Sequence, residues 1–282
     1  MNLAFSTNAY TRYPLSDALI GIHKAGFRGV EILADTPHAY PDMLHEAMIT
    51  SIRRQLESLE MSVSNINANC SFGYWRHAPP EAYFEPSLIS PNPAHRADRA
   101  ALIRKTIHFA RAVGAANISI TSGRLLGGMP PERALKVFAE SIKPLLDEAD
   151  RNNVNIGIEC EPGLYLEYAH ELHDWIMRLN HPRLGANLDV GHSQVLGESI
   201  PEAVKLLAGR LWNLHVEDIP GRKHYHLIPG EGTLDWQSLF GALRSVGYDR
   251  YLTVELYTHT ADPQDAAERS FEFLSRALLA GV

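Results

Sequence analysis

The feature that most constrains this chain is an alternation, repeated eight times, of a short β-rich run and a longer amphipathic stretch. The β-rich runs fall at 3–6, 29–33, 62–67, 117–121, 155–159, 184–188, 211–216 and 251–256. The amphipathic stretches that follow predict helices from about 15 to just before Gly26, then at about 44–59, 96–113, 131–152, 168–179, 200–208, 236–246 and 263–279. Ser16 is the expected N-cap of the first helix, Gly26 sits where a helix C-terminus favours glycine, and Pro131 suits a first helical turn. Parallel strands joined by right-handed helical crossovers close into a barrel or spread into an open sheet. The open nucleotide-binding sheets carry a Gly-x-Gly-x-x-Gly or a phosphate loop, and neither follows the first strand. Eight units in 282 residues therefore predict a single (β/α)8 TIM barrel over 1–282, an α/β fold, although the length alone would also fit two domains.

Charge and composition narrow the partners. A net charge of −7 without a Lys/Arg cluster argues against nucleic acid, whose binding rests on neutralising phosphates. No apolar run nears the roughly 20 residues a membrane helix needs, and the first residues lack a basic, then apolar, leader pattern. Two cysteines, Cys70 and Cys160, are too few for a disulfide framework, so the expected setting is the cytoplasm.

In a barrel of this kind the active site lies at the C-terminal ends of the strands. Four successive strands end there on side chains that ligate metals: Glu159 in Ile158-Glu159-Cys160-Glu161, Asp189 in Leu188-Asp189-Val190-Gly191-His192, His215 in Leu214-His215-Val216-Glu217-Asp218, and Glu255 in Thr253-Val254-Glu255. Isolated carboxylates rarely sit at the end of an apolar run, because desolvating the charge is expensive unless a cation or donor offsets it. Convergence of Glu159, Asp189, His215 and Glu255 on one divalent ion explains all four; salt bridges at the barrel mouth are the alternative. Mostly oxygen ligands with one imidazole suit Mn2+ or Mg2+, with Zn2+ and Co2+ also compatible. Glu161, two residues past Glu159, shares its parity and is assigned to substrate contact or to supporting the ligands.

These strand ends, taken with His226-Leu227-Ile228-Pro229-Gly230-Glu231-Gly232, resemble the xylose isomerase-like barrel superfamily over nearly the whole chain. That group includes sugar epimerases, hydroxypyruvate isomerase, inosose dehydratase and endonuclease IV. The resemblance implies that Glu159, Asp189, His215 and Glu255 hold the metal. It also implies that Glu159 and Glu255 act as the acid/base pair on opposite faces of a keto-sugar, through an enediolate. It further implies that His192 touches substrate oxygens. His226 is assigned to substrate, while His224 is open between a second metal, a substrate contact and an exposed loop residue. The strand-three end, Ser64-Asn65-Ile66-Asn67-Ala68-Asn69, and the strand-four end, Ile120-Thr121-Ser122-Gly123, lack the histidines with which endonuclease IV builds its trinuclear zinc site.

The segment 70–95 is long for a barrel loop and carries Phe72, Tyr74, Trp75, Tyr83 and Phe84. It reads as a lid, with Trp75 on the substrate, or as an oligomer contact. Glu31, Asn8, Tyr10 and Arg124 are further candidates for the mouth, and Cys160, without a partner base, reads as a small barrel residue. The expected function is a divalent-metal-dependent isomerase or epimerase of a sugar or related hydroxy-carbonyl compound, self-associating, with a small polar substrate. A dehydratase on the same metal site is the alternative, followed by a metal-dependent phosphodiesterase or endonuclease and by a non-catalytic scaffold.

Overall fold

Eight parallel strands close a barrel in strict chain order: β1 (Asn2–Ser6), β2 (Gly29–Leu33), β3 (Ser62–Asn67), β4 (Asn117–Thr121), β5 (Asn155–Glu159), β6 (Leu184–Asp189), β7 (Leu211–Val216) and β8 (Tyr251–Val254), with β8 returning to β1. The structure, a computed structural model, describes residues 1–79 and 82–279. The helices among them are α1 (Leu15–Lys24), α2 (Glu46–Ser58), α3 (Pro93–Val113), α4 (Pro131–Asn152), α5 (Ala169–Leu179), α6 (Val190–Leu196), α7 (Ile200–Leu207), α8 (Trp236–Ser245) and α9 (Pro263–Leu279). The expected barrel is thus the observed one. None of the described helices is long and apolar enough to cross a membrane.

Local chemistry sets where the helices begin. Pro14, extended and without a side-chain cap, precedes α1, so Ser16 lies in the first turn instead of capping it. Asn92 accepts from the Ala94 amide and Pro93 fills the first turn of α3, which starts it three residues earlier than periodicity indicates. The seven-residue α6 is absent from the expected set: it grows directly from β6 because the Asp189 carboxylate accepts from the His192 amide.

The helices lay apolar stripes on the outside of the barrel. Along α4 these are Ala134, Val137, Phe138, Ile142, Leu145 and Leu146, and Phe138 stacks on Trp175 of α5 with centroids 4.5 Å apart. Each fully buried large apolar side chain of this kind contributes about 1.5–3 kcal/mol relative to exposure. Inside, the barrel carries a polar layer linked across strands by hydrogen bonds. Asn65 Nδ2 donates to Ser119 Oγ at 2.8 Å, Asn213 Nδ2 to Asn187 Oδ1 at 2.8 Å, and Thr253 Oγ1 to Asn213 Oδ1 at 3.0 Å. A buried polar layer closed in this way is rigid, and the site stands on it.

Candidate active site

Strand register brings the candidate ligands together. Asp189 pairs in register with His215 across β6 and β7, and Glu159 stands at the end of β5 opposite Thr121. His215 is in register with Thr253, so Glu255, two residues on, sits just past the end of β8. One donor atom from each of Glu159, Asp189, His215 and Glu255 lies within 4.8 Å of every other, and all four residues are buried.

Asparagines hold each of the two glutamates. Asn8 Nδ2 and Asn67 Nδ2 both donate to Glu255 Oε1 at 2.9 Å. Asn69 Nδ2 and Asn187 Nδ2 donate to Glu159 Oε2 at 2.5 and 2.7 Å. Each glutamate therefore has one oxygen fixed by two amides and turns the other toward His215. Nδ1 of that imidazole lies 3.2 Å from Glu159 Oε1 and 3.6 Å from Glu255 Oε2. The asparagine roles went unread in the sequence, though Asn65, Asn67 and Asn69 recur at the two-residue spacing of an inward-facing strand.

His215 is oriented from behind. Its Nε2 donates to Glu31 Oε2 at 2.6 Å, and Glu31 is fully buried below the cavity, where Asn65 Nδ2 also donates to it at 2.7 Å. Glu31 is thus an internal partner of the imidazole and leaves Nδ1 to face the carboxylates. Burial alone would lower the pKa of His215, but Glu31, Glu255 and Glu159 hold it well above its ordinary value. Burial, joined by the Glu159, Glu31 and Asp189 charges, raises Glu255 well above the usual carboxylate range.

The four residues fit a divalent cation. Three carboxylates share one small buried volume, Asp189 Oδ1 caps α6, and the single imidazole is held by a carboxylate from behind. A cation and protons would compete for these atoms, as at any metal site. Glu217 adds a further buried carboxyl; burial, the Asp189 charge and a hydrogen bond to Asp189 raise its pKa, favouring the neutral form, which donates to the Asp189 carboxylate. Gly191 makes room for it, since a Cβ there would lie 1.7 Å from Glu217 Oε1.

A cavity of about 410 Å³ opens above the cluster, in the range taken by small-molecule sites. Glu159, Glu255, Glu161, His192 and Asn8 all line it, as expected for mouth residues. Burial raises the Glu161 pKa to about 7. His192 Nδ1 donates to Cys160 O at 2.9 Å, and its Nε2 lies 3.7 Å from Asp189 Oδ2. Burial would lower His192, but Asp189, Glu161 and Glu159 hold it at about 9. The long segment after β3 supplies Phe72, Tyr83 and Phe84 to the cavity wall. Trp75 lies off that wall, with its indole N–H donating to Glu85 O at 2.8 Å and its ring edge-on to His95. Tyr10 is likewise turned away, toward Gln264, and Arg124 is exposed outside the lining.

His192, His224 and His226 form a second cluster, also with donor atoms within 4.8 Å of one another. His226 Nδ1 donates to Glu255 O at 3.1 Å, and the two Nε2 atoms of His224 and His226 stand 3.1 Å apart. Burial lowers His226 to about 4 and lowers His224 as well. Asp218 organises the loop that carries them. Its carboxylate accepts from the amides of Ile219, Gly230 and Leu234 and from the Trp236 indole, at 2.8–3.0 Å. Gly232 is pressed against it, with a Cβ position 2.3 Å from Asp218 Oδ1, which explains the glycine there.

Comparison with known proteins agrees with this architecture. The family described as xylose isomerase-like TIM barrel matches residues 21–277. Fructoselysine 3-epimerase of Shigella flexneri is 26% identical over 286 aligned residues, covering 99% of this chain and 98% of that protein. The 2-oxo-tetronate isomerase of Haemophilus influenzae is 21% identical, covering 88% and 90%. Among solved structures, a D-tagatose 3-epimerase-like protein superposes with a TM-score of 0.83 at 18% identity, covering 100% of this chain and 98% of the other.

Proposed function

The chain belongs to the xylose isomerase-like TIM-barrel family, and from that premise we propose that it is a divalent-metal-dependent epimerase or isomerase of a keto-sugar or related hydroxy-ketone. One observation carries the reading. Glu159, at the end of β5, and Glu255, just past β8, both line the cavity, each pinned through one oxygen by two asparagines, with the other oxygen turned toward His215. Full-length likeness to a ketosugar epimerase supports it.

Glu159, Asp189, His215 and Glu255 would hold the ion, which supplies a positive charge that acidifies the C–H beside a carbonyl and stabilises the oxyanion formed there. The chain's own residues do the rest. One glutamate takes the proton from the carbon next to the carbonyl at its free oxygen; the C–H electron pair moves into the carbon–carbon bond and the carbonyl oxygen gains the charge. The other glutamate returns a proton, to the opposite face for epimerisation as the carbonyl re-forms, or to the former carbonyl carbon for isomerisation, where the neighbouring hydroxyl proton passes to the former carbonyl oxygen. Fixing one oxygen of each by two hydrogen bonds keeps both carboxyls from swinging away during the transfer. His192, anchored through Nδ1 to Cys160 O, presents Nε2 to the substrate oxygens, and Glu161 and His226 stand beside it. A dehydratase would share the proton abstraction but then expel a β-hydroxyl. Two free thiols, Cys70 and Cys160, suit the reducing cytoplasm in which we place the enzyme.

The test is a panel of ketoses incubated in D2O with metal-reconstituted protein and followed by NMR. Deuterium at the α carbon with appearance of an epimer or isomer is the expected result. Dehydrated product would move the assignment to the dehydratase, and no exchange with any ketose would remove the acid/base roles.

A further inference from the structure

The chemistry of the cavity wall points to the kind of sugar that enters. Asp35, Glu159, Glu161 and Glu255 line the cavity and Asp189 lies just beneath, while among the described residues no Lys or Arg lines it. His192, the imidazole on the lining, is already flanked by Glu159, Glu161 and Asp189 at 3.7–3.9 Å. The one guanidinium buried near that wall, Arg99, is already engaged, donating to Cys70 O at 3.2 Å and Asn69 O at 3.1 Å and to Ala68 O and Ser71 Oγ.

The amides gathered at Asp35 and at the start of α6, donors of the kind phosphates use, are committed as well. Asp35 takes the amides of Thr36 at 2.8 Å, Phe72 at 2.6 Å and Gly73 at 2.8 Å, so a carboxylate already occupies the place an anionic group on that wall would need. The start of α6 is likewise taken by the Asp189 side chain. An anionic substituent would meet like charge without a paired donor, which costs several kcal/mol. Beside Asp35 the wall turns apolar. Phe72 and Tyr83, 44% and 43% exposed, meet edge-on with centroids 5.5 Å apart beside Leu33. Large apolar rings left open at the mouth of a cavity are surface that a ligand covers.

We propose that this site selects an unphosphorylated sugar carrying no anionic group, with Phe72 and Tyr83 covering the carbons that do not react. The inference rests on the reading of the cavity as a ketose site, and it adds the charge of the substrate and the residues that read its far limb.

Matched pairs test it: free ketopentoses and ketohexoses against their own terminal phosphate esters, on the metal-reconstituted full chain. Binding is read by calorimetry and α-proton exchange by NMR in D2O. The free sugar is expected to be favoured by about 100-fold or more in affinity or kcat/KM, the equivalent of the like-charge cost. Phe72→Ala is expected to raise KM several-fold with kcat nearly unchanged, as removal of a contact to non-reacting atoms does.

An ester bound or turned over as well as its free sugar overturns the selectivity and leaves the acid/base assignment standing. Free sugar bound in preference to the ester, yet never exchanged, supports the selectivity and overturns the acid/base assignment instead. Binding of neither member across the panel overturns the selectivity, and a fall in kcat alone for Phe72→Ala removes the role given to the aromatic wall.

Discussion

The two clusters of ligand-type side chains at the barrel mouth are equally tight yet chemically unlike. Both have donor atoms within 4.8 Å, but Glu159, Asp189, His215 and Glu255 come from four consecutive strands, whereas His192 comes from α6 and His224 and His226 from the loop after β7. The strand cluster gathers three carboxylates in one small buried volume. In the histidine cluster, His192 and His226 each give Nδ1 to a backbone carbonyl, and His224 and His226 bond to each other. The contrast teaches that proximity of ligand atoms is a weak signal by itself. Negative charge in excess of its hydrogen-bond partners is what calls for a cation.

The sharpest way to break this contrast is to remove charge from the first cluster without changing its shape. Glu159→Gln or Glu255→Gln is expected to lower kcat for α-proton exchange by about 10²–10⁴-fold, the range for losing a general acid or base. An exchange rate within a few-fold of wild type, at full metal occupancy, would show that the carboxylates only bind. A step smaller are the asparagine braces. Asn69→Ala and Asn187→Ala should each weaken metal binding or activity by about 10–100-fold, as loss of partners behind metal ligands does. Titration calorimetry with Mn2+ separates that loss from one in the chemical step.

The loop is the next target. Asp218→Ala removes the acceptor shared by three amides and an indole and should destabilise the fold by about 3 kcal/mol or more, seen as a drop of several degrees in Tm. An unchanged Tm would mean that the loop is held by something other than Asp218. The smallest effect is expected for His224→Ala. It should leave metal content unchanged and move KM more than kcat, whereas loss of a second equivalent of metal would make the two clusters alike after all.

Much of this was legible in the sequence because the barrel repeats one rule. Five strands, β2, β3, β4, β5 and β7, run between the residues that β-rich composition marks, and α4 and α9 likewise match their expected bounds. Legibility failed where a single side chain overrides periodicity. The run from Val190 to Leu196 is too short to show a helical period, and its start depends on the Asp189 cap. The metal-type side chains were visible because carboxylates at the ends of apolar runs are conspicuous. Asn67, Asn69 and Asn187 were not, and Asn8 was visible only as a mouth candidate, because an amide beside a strand end carries no such signature until its partner across the barrel is known. Trp75 shows the same limit: an aromatic-rich segment announces a wall for the cavity, but which rings face inward follows from packing, and Phe72, Tyr83 and Phe84 do so.

The central claim is that four strand-end side chains hold a single divalent ion. Elemental analysis of metal per chain, on wild type and Glu255→Gln side by side after reconstitution with Mn2+, Mg2+ or Zn2+, tests it most directly. The account predicts about one equivalent in the wild type, lost or weakened in the variant. No retained metal under any of these conditions, or an equivalent that Glu255→Gln leaves untouched, would contradict it.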